Sequence, residues 1–154
     1  MKIARSKLKR LVRSEATPMQ MSLNMLRKVG YFCEPVEVNN IWLPGYEHPI
    51  KYDLLGFADI MALGKRRVLL VQTTTEENIS ARVDKIQHLE AFEACKQAGV
   101  LVHVHGWGLG GVKVVDMTAR EADGTWVFKT ILDDIVRAGL RSKKTPRVQT
   151  VLGL

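Results

Sequence analysis

Residues 53–85 put an acid and a glutamine where apolar side chains belong. Asp-Leu-Leu-Gly-Phe-Ala-Asp-Ile-Met-Ala-Leu runs from Asp53 to Leu63, Gly64-Lys65-Arg66-Arg67 follows, and Val-Leu-Leu-Val-Gln-Thr-Thr-Thr continues to Thr75. Two apolar runs around a tight turn predict a β-hairpin with strands at 56–63 and 67–74. A carboxylate inside such a strand is costly to desolvate unless a cation or hydrogen bonds compensate it. Asp59 is that carboxylate. Side chains alternate along a strand, so Phe57, Asp59 and Met61 share one face, as do Leu70, Gln72 and Thr74 on the next strand. If the two faces coincide, Asp59, Gln72 and Thr74 meet.

The flanking segments extend this hairpin into an α/β domain. Thr17-Pro18-Met19-Gln20 opens a helix over 18–29 that Gly30 closes. Tyr31 to Val38 predicts a strand, with Pro35 favouring an edge or a bulge. Residues 39–52, with Pro44-Gly45 and Pro49, predict a long loop. Asn78 or Ser80 caps a further helix whose stripe of Ile79, Val83, Ile86 and Leu89 has helical spacing and which ends before Gly99. Val100 to His105 is then a strand, and a right-handed crossover lays it parallel to the Gln72 strand. Beyond Trp107 the pattern gives a second hairpin around Asp123-Gly124 and a short helix over 131–138.

The chain of 154 residues is 46% apolar, enough for one core, and Cys33 and Cys95 suit buried positions better than a disulfide framework. No apolar run approaches the ~18 residues of a membrane span and no signal sequence is visible, so the expected setting is cytoplasmic. The formal charge of +7 gathers at the ends. Lys2, Arg5, Lys7, Lys9, Arg10 and Arg13 lie at one, and Arg137, Arg141, Lys143, Lys144 and Arg147 at the other. Polyanion binding is the functional meaning of such runs, and solvated tails are the alternative. The expected division is a basic segment at 1–16, a folded domain at 17–139 and a basic tail at 140–154.

Gly56, Phe57, Asp59 and Ile60, then Gln72 and Thr74, then Asn78, Arg82 and Lys85 resemble the PD-(D/E)XK nuclease superfamily. The likeness is to small phage-type proteins related to Holliday-junction resolvases, and it covers about residues 17–107. It implies a restriction-endonuclease-like core of helix, three-stranded meander, helix and parallel strand, followed here by a hairpin and a short helix. It also implies a structure-selective DNA endonuclease using Mg2+ or Mn2+, with Asp59, Gln72 and the Thr73 carbonyl on the metal. The superfamily's second motif is acid, any residue, lysine, whereas this chain has Gln72-Thr73-Thr74. The alternative is therefore a catalytically inactive nuclease-fold protein that binds DNA or a protein partner.

A displaced cation would repair the missing lysine. At ~100° per residue, Asn78, Arg82 and Lys85 fall within roughly 60° of arc beside the apolar stripe. Arg82 or Lys85 is accordingly the expected basic partner of Asp59, and Asn78 and Arg82 are expected on DNA. Asp53, six residues before Asp59, is a further candidate metal ligand, a turn aspartate being the alternative. Glu15, Glu34 and Glu37 are additional carboxylates within reach in sequence. Cutting both strands symmetrically would favour a homodimer.

Three other groups carry less. His103-x-His105 has a zinc-compatible spacing but no further ligand close in sequence, so core or rim histidines are expected. Gly106 to Gly111 lacks the lysine of a phosphate loop and reads as a flexible connector. Trp42, Tyr46 and Trp107 suit base stacking or ordinary packing.

Overall fold

The computed structural model describes residues 16–131. Of the helix expected over 131–138, Ile131 instead ends a strand, and the rest, like both basic terminal segments, lies outside the described residues. Helix α1 (Pro18–Lys28) begins where the Thr17 hydroxyl accepts the Gln20 amide at 3.2 Å, with proline in the first turn. The chain continues through β1 (Phe32–Pro35), β2 (Val38–Ile41), β3 (Ile50–Tyr52), β4 (Ile60–Gly64) and β5 (Arg67–Thr75). After a 3-10 turn at Glu76–Asn78 come α2 (Ile79–Gln87), α3 (Glu90–Ala98), β6 (Leu101–Gly108), β7 (Gly111–Arg120) and β8 (Trp126–Ile131).

Among the described residues the fold is α/β, with three α-helices and a six-stranded mixed sheet ordered β1-β4-β5-β6-β7-β8. β5 and β6 are parallel, Gln72 facing Val104, and the other neighbours in this sheet are antiparallel. Helices cover both faces. Leu23, Met25 and Leu26 of α1, with Val29 just past its end, pack on Ile60, Ala62, Leu69, Val71, Val112 and Val114. Ile86, Phe92 and Cys95 of α2 and α3 pack on Leu70, Val102, Val104 and Met117. Burial of both sheet faces explains why β5 reads as a nearly continuous apolar run.

Several expected boundaries move. The strand expected over Tyr31–Val38 is two: Pro35 ends β1, the Val36 amide donates to the Asp59 carbonyl at 2.8 Å, and β2 leaves in a separate two-stranded sheet with β3. The expected 39–52 loop is thus largely a hairpin. The strand expected from residue 56 begins only at Ile60, because Leu54 and Ala58 exchange backbone bonds of 3.1 and 2.9 Å around a tight turn. Leu55 (φ 56°) and Gly56 (φ 81°) take the left-handed conformations it needs.

The single helix expected after Asn78 breaks at His88–Leu89, where Leu89 is extended (φ −82°, ψ 133°). The break re-aims α3 so that Phe92 and Cys95 reach the same core as Ile86. Asn78 does stand at the start of α2, but its amide donates to the Thr75 hydroxyl at 2.8 Å and makes no capping bond. The glycine connector also gives way. Gly106 and Gly108 belong to β6 and Gly111 to β7, leaving only a two-residue turn. A Cβ at Gly106 would overlap the Ile79 side chain, and one at Gly108 the Glu76 carboxylate, so these glycines let the start of the crossover lie directly on β6.

The two histidines lie buried on the α1 side. His105 Nδ1 is 3.0 Å from Ser22 Oγ, which also accepts Trp107 Nε1 at 2.8 Å. His103 Nε2 is 3.7 Å from Asp116 Oδ2. Burial, with His103 beside it, holds the His105 imidazole well below the usual histidine range. A depressed folded value means that the unfolded chain takes up a proton first as pH falls below about 6.5. Stability is therefore expected to be fully present above that pH and to fall below it, by up to about 1.4 kcal/mol per unit for this one proton. Urea midpoints between pH 7.5 and 5 measure this; a His105→Gln variant with an equally steep decline would assign it elsewhere.

Candidate metal centre

Where β4 starts and β5 runs on, Asp59 takes a place in the hydrogen-bonding pattern. Its amide still donates to the Val71 carbonyl at 2.9 Å. Its Oδ2 then accepts three donors: the Thr73 amide at 2.7 Å, the Thr73 hydroxyl at 2.8 Å and Gln72 Nε2 at 2.8 Å. The carboxylate thus occupies the β4 side of a strand that has outrun its neighbour. Oδ2 is saturated, and the buried Oδ1 has no hydrogen-bond partner.

Two more carboxylates converge there. Glu37 stands just before β2 and Asp53 just after β3, so the base of that hairpin delivers both. Glu37, Asp53 and Asp59 each bring an oxygen to within 4.8 Å of the others. Asp53 and Asp59 approach through the Leu55–Gly56 turn rather than along one unbroken strand. Asp53 Oδ1 and Gln72 Oε1 are likewise buried without hydrogen-bond partners. Gln72 cannot simply turn its oxygen inward, because Nε2 also donates to the Thr73 carbonyl at 3.2 Å and a flip would set oxygen against the Asp59 carboxylate.

Lys51, at the centre of β3, supplies an ammonium 2.8 Å from Glu37 and 3.7 Å from Asp53. Burial pushes the Asp59 carboxyl above its usual value, and the Thr73 bonds and the Lys51 charge offset only part of this. For Glu37 burial also acts upward, but the bonds from Lys51 and Asn39 outweigh it and hold its carboxyl low. The Glu37 bond in turn raises Lys51. Three clustered acids and one ammonium leave two negative charges when all are ionised, in a setting that includes an almost fully buried carboxylate. Bare acceptor oxygens of this kind fit a hard divalent cation with oxygen ligands.

The expected residues divide accordingly. Asp59, Gln72, Thr73 and Asp53 come together. Thr74 is buried on the neighbouring position of β5, but the hydroxyl that meets Asp59 is that of Thr73. The Thr73 carbonyl already accepts the Gln72 amide. Lys51, not Arg82 or Lys85, is the cation that acts on Asp59. Sequence reasoning does not reach it, because Lys51 sits in a stretch with the composition of a loop; the alternating Lys51-Tyr52-Asp53 run is its only trace. Glu34 is exposed on β1, and Glu15 lies outside the described residues.

The open cleft nearby, lined by Thr75, Glu76, Trp107, Gly108 and Lys113, lies past the end of β5 and includes none of the three carboxylates. Among the described residues no helix is long and apolar enough to cross a membrane. Compared with family models, curated proteins and solved structures, the chain gives no match.

Proposed function

We propose that this chain is a divalent-metal-dependent DNA endonuclease selective for branched or partly unpaired DNA. The observation that carries the reading is the Asp59 carboxylate, one oxygen fixed by three donors and the other bare and buried, beside Glu37 and Asp53. Asp59, Glu37 and Asp53 would hold Mg2+ or Mn2+, with the Gln72 amide keeping Asp59 Oδ2 in place. The ion would supply Lewis acidity toward a phosphodiester oxygen. Thr73 fixes the orientation of Asp59, and Lys51 adds positive charge where a phosphate would approach. Trp42, Tyr46 and Tyr52 are exposed on the hairpin that carries Lys51, which supports contact with unpaired bases.

The charge distribution supports binding through the chain ends. Residues 16–131 contain twelve Lys and Arg against thirteen Asp and Glu, so the entire positive excess comes from residues 1–15 and 132–154. Deleting residues 1–13, which removes six basic side chains, is expected to weaken binding to every DNA sequence alike. The slope of log K against log salt should flatten by about 0.9 for each phosphate that is no longer neutralised. Fluorescence anisotropy at several salt concentrations, run beside Mg2+-dependent cleavage of labelled junctions, flaps and duplexes, tests both parts. Metal-dependent cutting of the branched substrates supports the enzyme; salt-sensitive binding without cutting would favour the inactive DNA binder instead.

A further inference from the structure

Lys51 has a place in the cluster that the choice of metal ligands alone does not explain. Its ammonium lies 2.8 Å from Glu37 and 3.7 Å from Asp53, and slightly more than half of its side chain is exposed to solvent. Three carboxylates carry three negative charges when ionised. One ammonium and one divalent ion neutralise them; a second divalent ion would leave a positive excess in a partly buried site. We propose that Lys51 is a resident counter-cation that restricts this centre to a single divalent ion and weakens its binding.

The proposal rests on the metal-centre reading above and adds to it the number of ions and the origin of their affinity. Repulsion between an ammonium and a divalent ion a few ångströms apart is twice that between unit charges, which in a solvent-screened setting amounts to about tenfold in affinity or more. Slightly more than half of the Lys51 side chain faces solvent, so replacing it opens no cavity in the sheet. Replacement at this position leaves the backbone pairing of β2 and β3 in place, since that pairing uses main-chain groups.

Titrate the full chain, free of DNA, with Mn2+ by calorimetry and by the loss of the free-ion electron paramagnetic resonance signal, at pH 7.5. The wild type is expected to bind one ion. Lys51→Met should bind at least about tenfold more tightly, whereas Lys51→Arg, which keeps the charge, should stay near the wild type. Circular dichroism of each variant establishes that it is folded. Failure of the wild type to bind Mn2+ would remove the metal-centre reading itself. A wild type that binds one ion while Lys51→Met binds with unchanged affinity would leave that reading standing and overturn the counter-cation role. Two ions in the wild type, or Lys51→Arg behaving like Lys51→Met, would overturn it as well.

Discussion

Asp59→Asn is expected to reduce Mg2+-dependent DNA cleavage by at least about a thousandfold, the scale of losing a principal electrostatic stabiliser, while DNA affinity stays equal or rises. Asparagine is the informative replacement. Its carbonyl oxygen can still accept the Thr73 amide and hydroxyl that now bond Asp59 Oδ2, and only the charge and the anionic ligand are lost. Alanine would instead strand those donors and Gln72 Nε2 inside the protein. Because burial raises the Asp59 carboxyl, its ionisation at neutral pH opposes folding when no cation is bound. Stability linked to that group is present at low pH and lost as pH rises through the folded value. The metal-free Asp59→Asn variant should therefore melt no lower than the wild type at pH 7.5. Cleavage by Asp59→Asn at the wild-type rate would remove Asp59 from the centre.

Gln72→Glu should behave in the opposite way. In the native protein the Gln72 amide donates to Asp59 at 2.8 Å; a glutamate there sets carboxylate against carboxylate in an almost fully buried place. Without metal the expected loss is about 3 kcal/mol or more, or roughly 10 °C in melting temperature for a domain of this size. With millimolar Mg2+ the new carboxylate becomes a fourth anionic ligand, and most of the loss should return. Thermal melts with and without Mg2+ decide the matter. A loss that the metal does not reverse would make this a hydrogen-bond cluster closed to cations and favour the inactive binder.

Much of the fold is legible in local pattern. The Thr17-Pro18 start and the apolar spacing of Leu23, Leu26 and Val29 specify α1 because capping and helical period are local properties. The continuous apolar run and β-branched content around Val68–Thr75 specify β5, and the distance to Leu101 forces a parallel return. Asp59 stands out for a similarly local reason: a carboxylate amid apolar neighbours is costly wherever the chain goes. Its encounter with Gln72 follows from strand period and a short turn.

What the tertiary structure decided is which charges surround that carboxylate. Glu37, Lys51 and Asp53 lie on either side of a hairpin that branches from the main sheet, and their convergence depends on where Pro35 ends β1 and where Leu55 and Gly56 turn the chain back. Neither the branch nor its angle has a periodic signature, since a three-residue strand such as β3 is too short to show one. A helix projection favours Arg82 and Lys85 only because azimuth about one axis says nothing of position relative to the sheet. Sequence by itself determined which group needed a partner, because desolvation is a property of the residue and its neighbours. Only the packed chain determined the partner, because electrostatic interaction depends on distances between segments that are far apart along it.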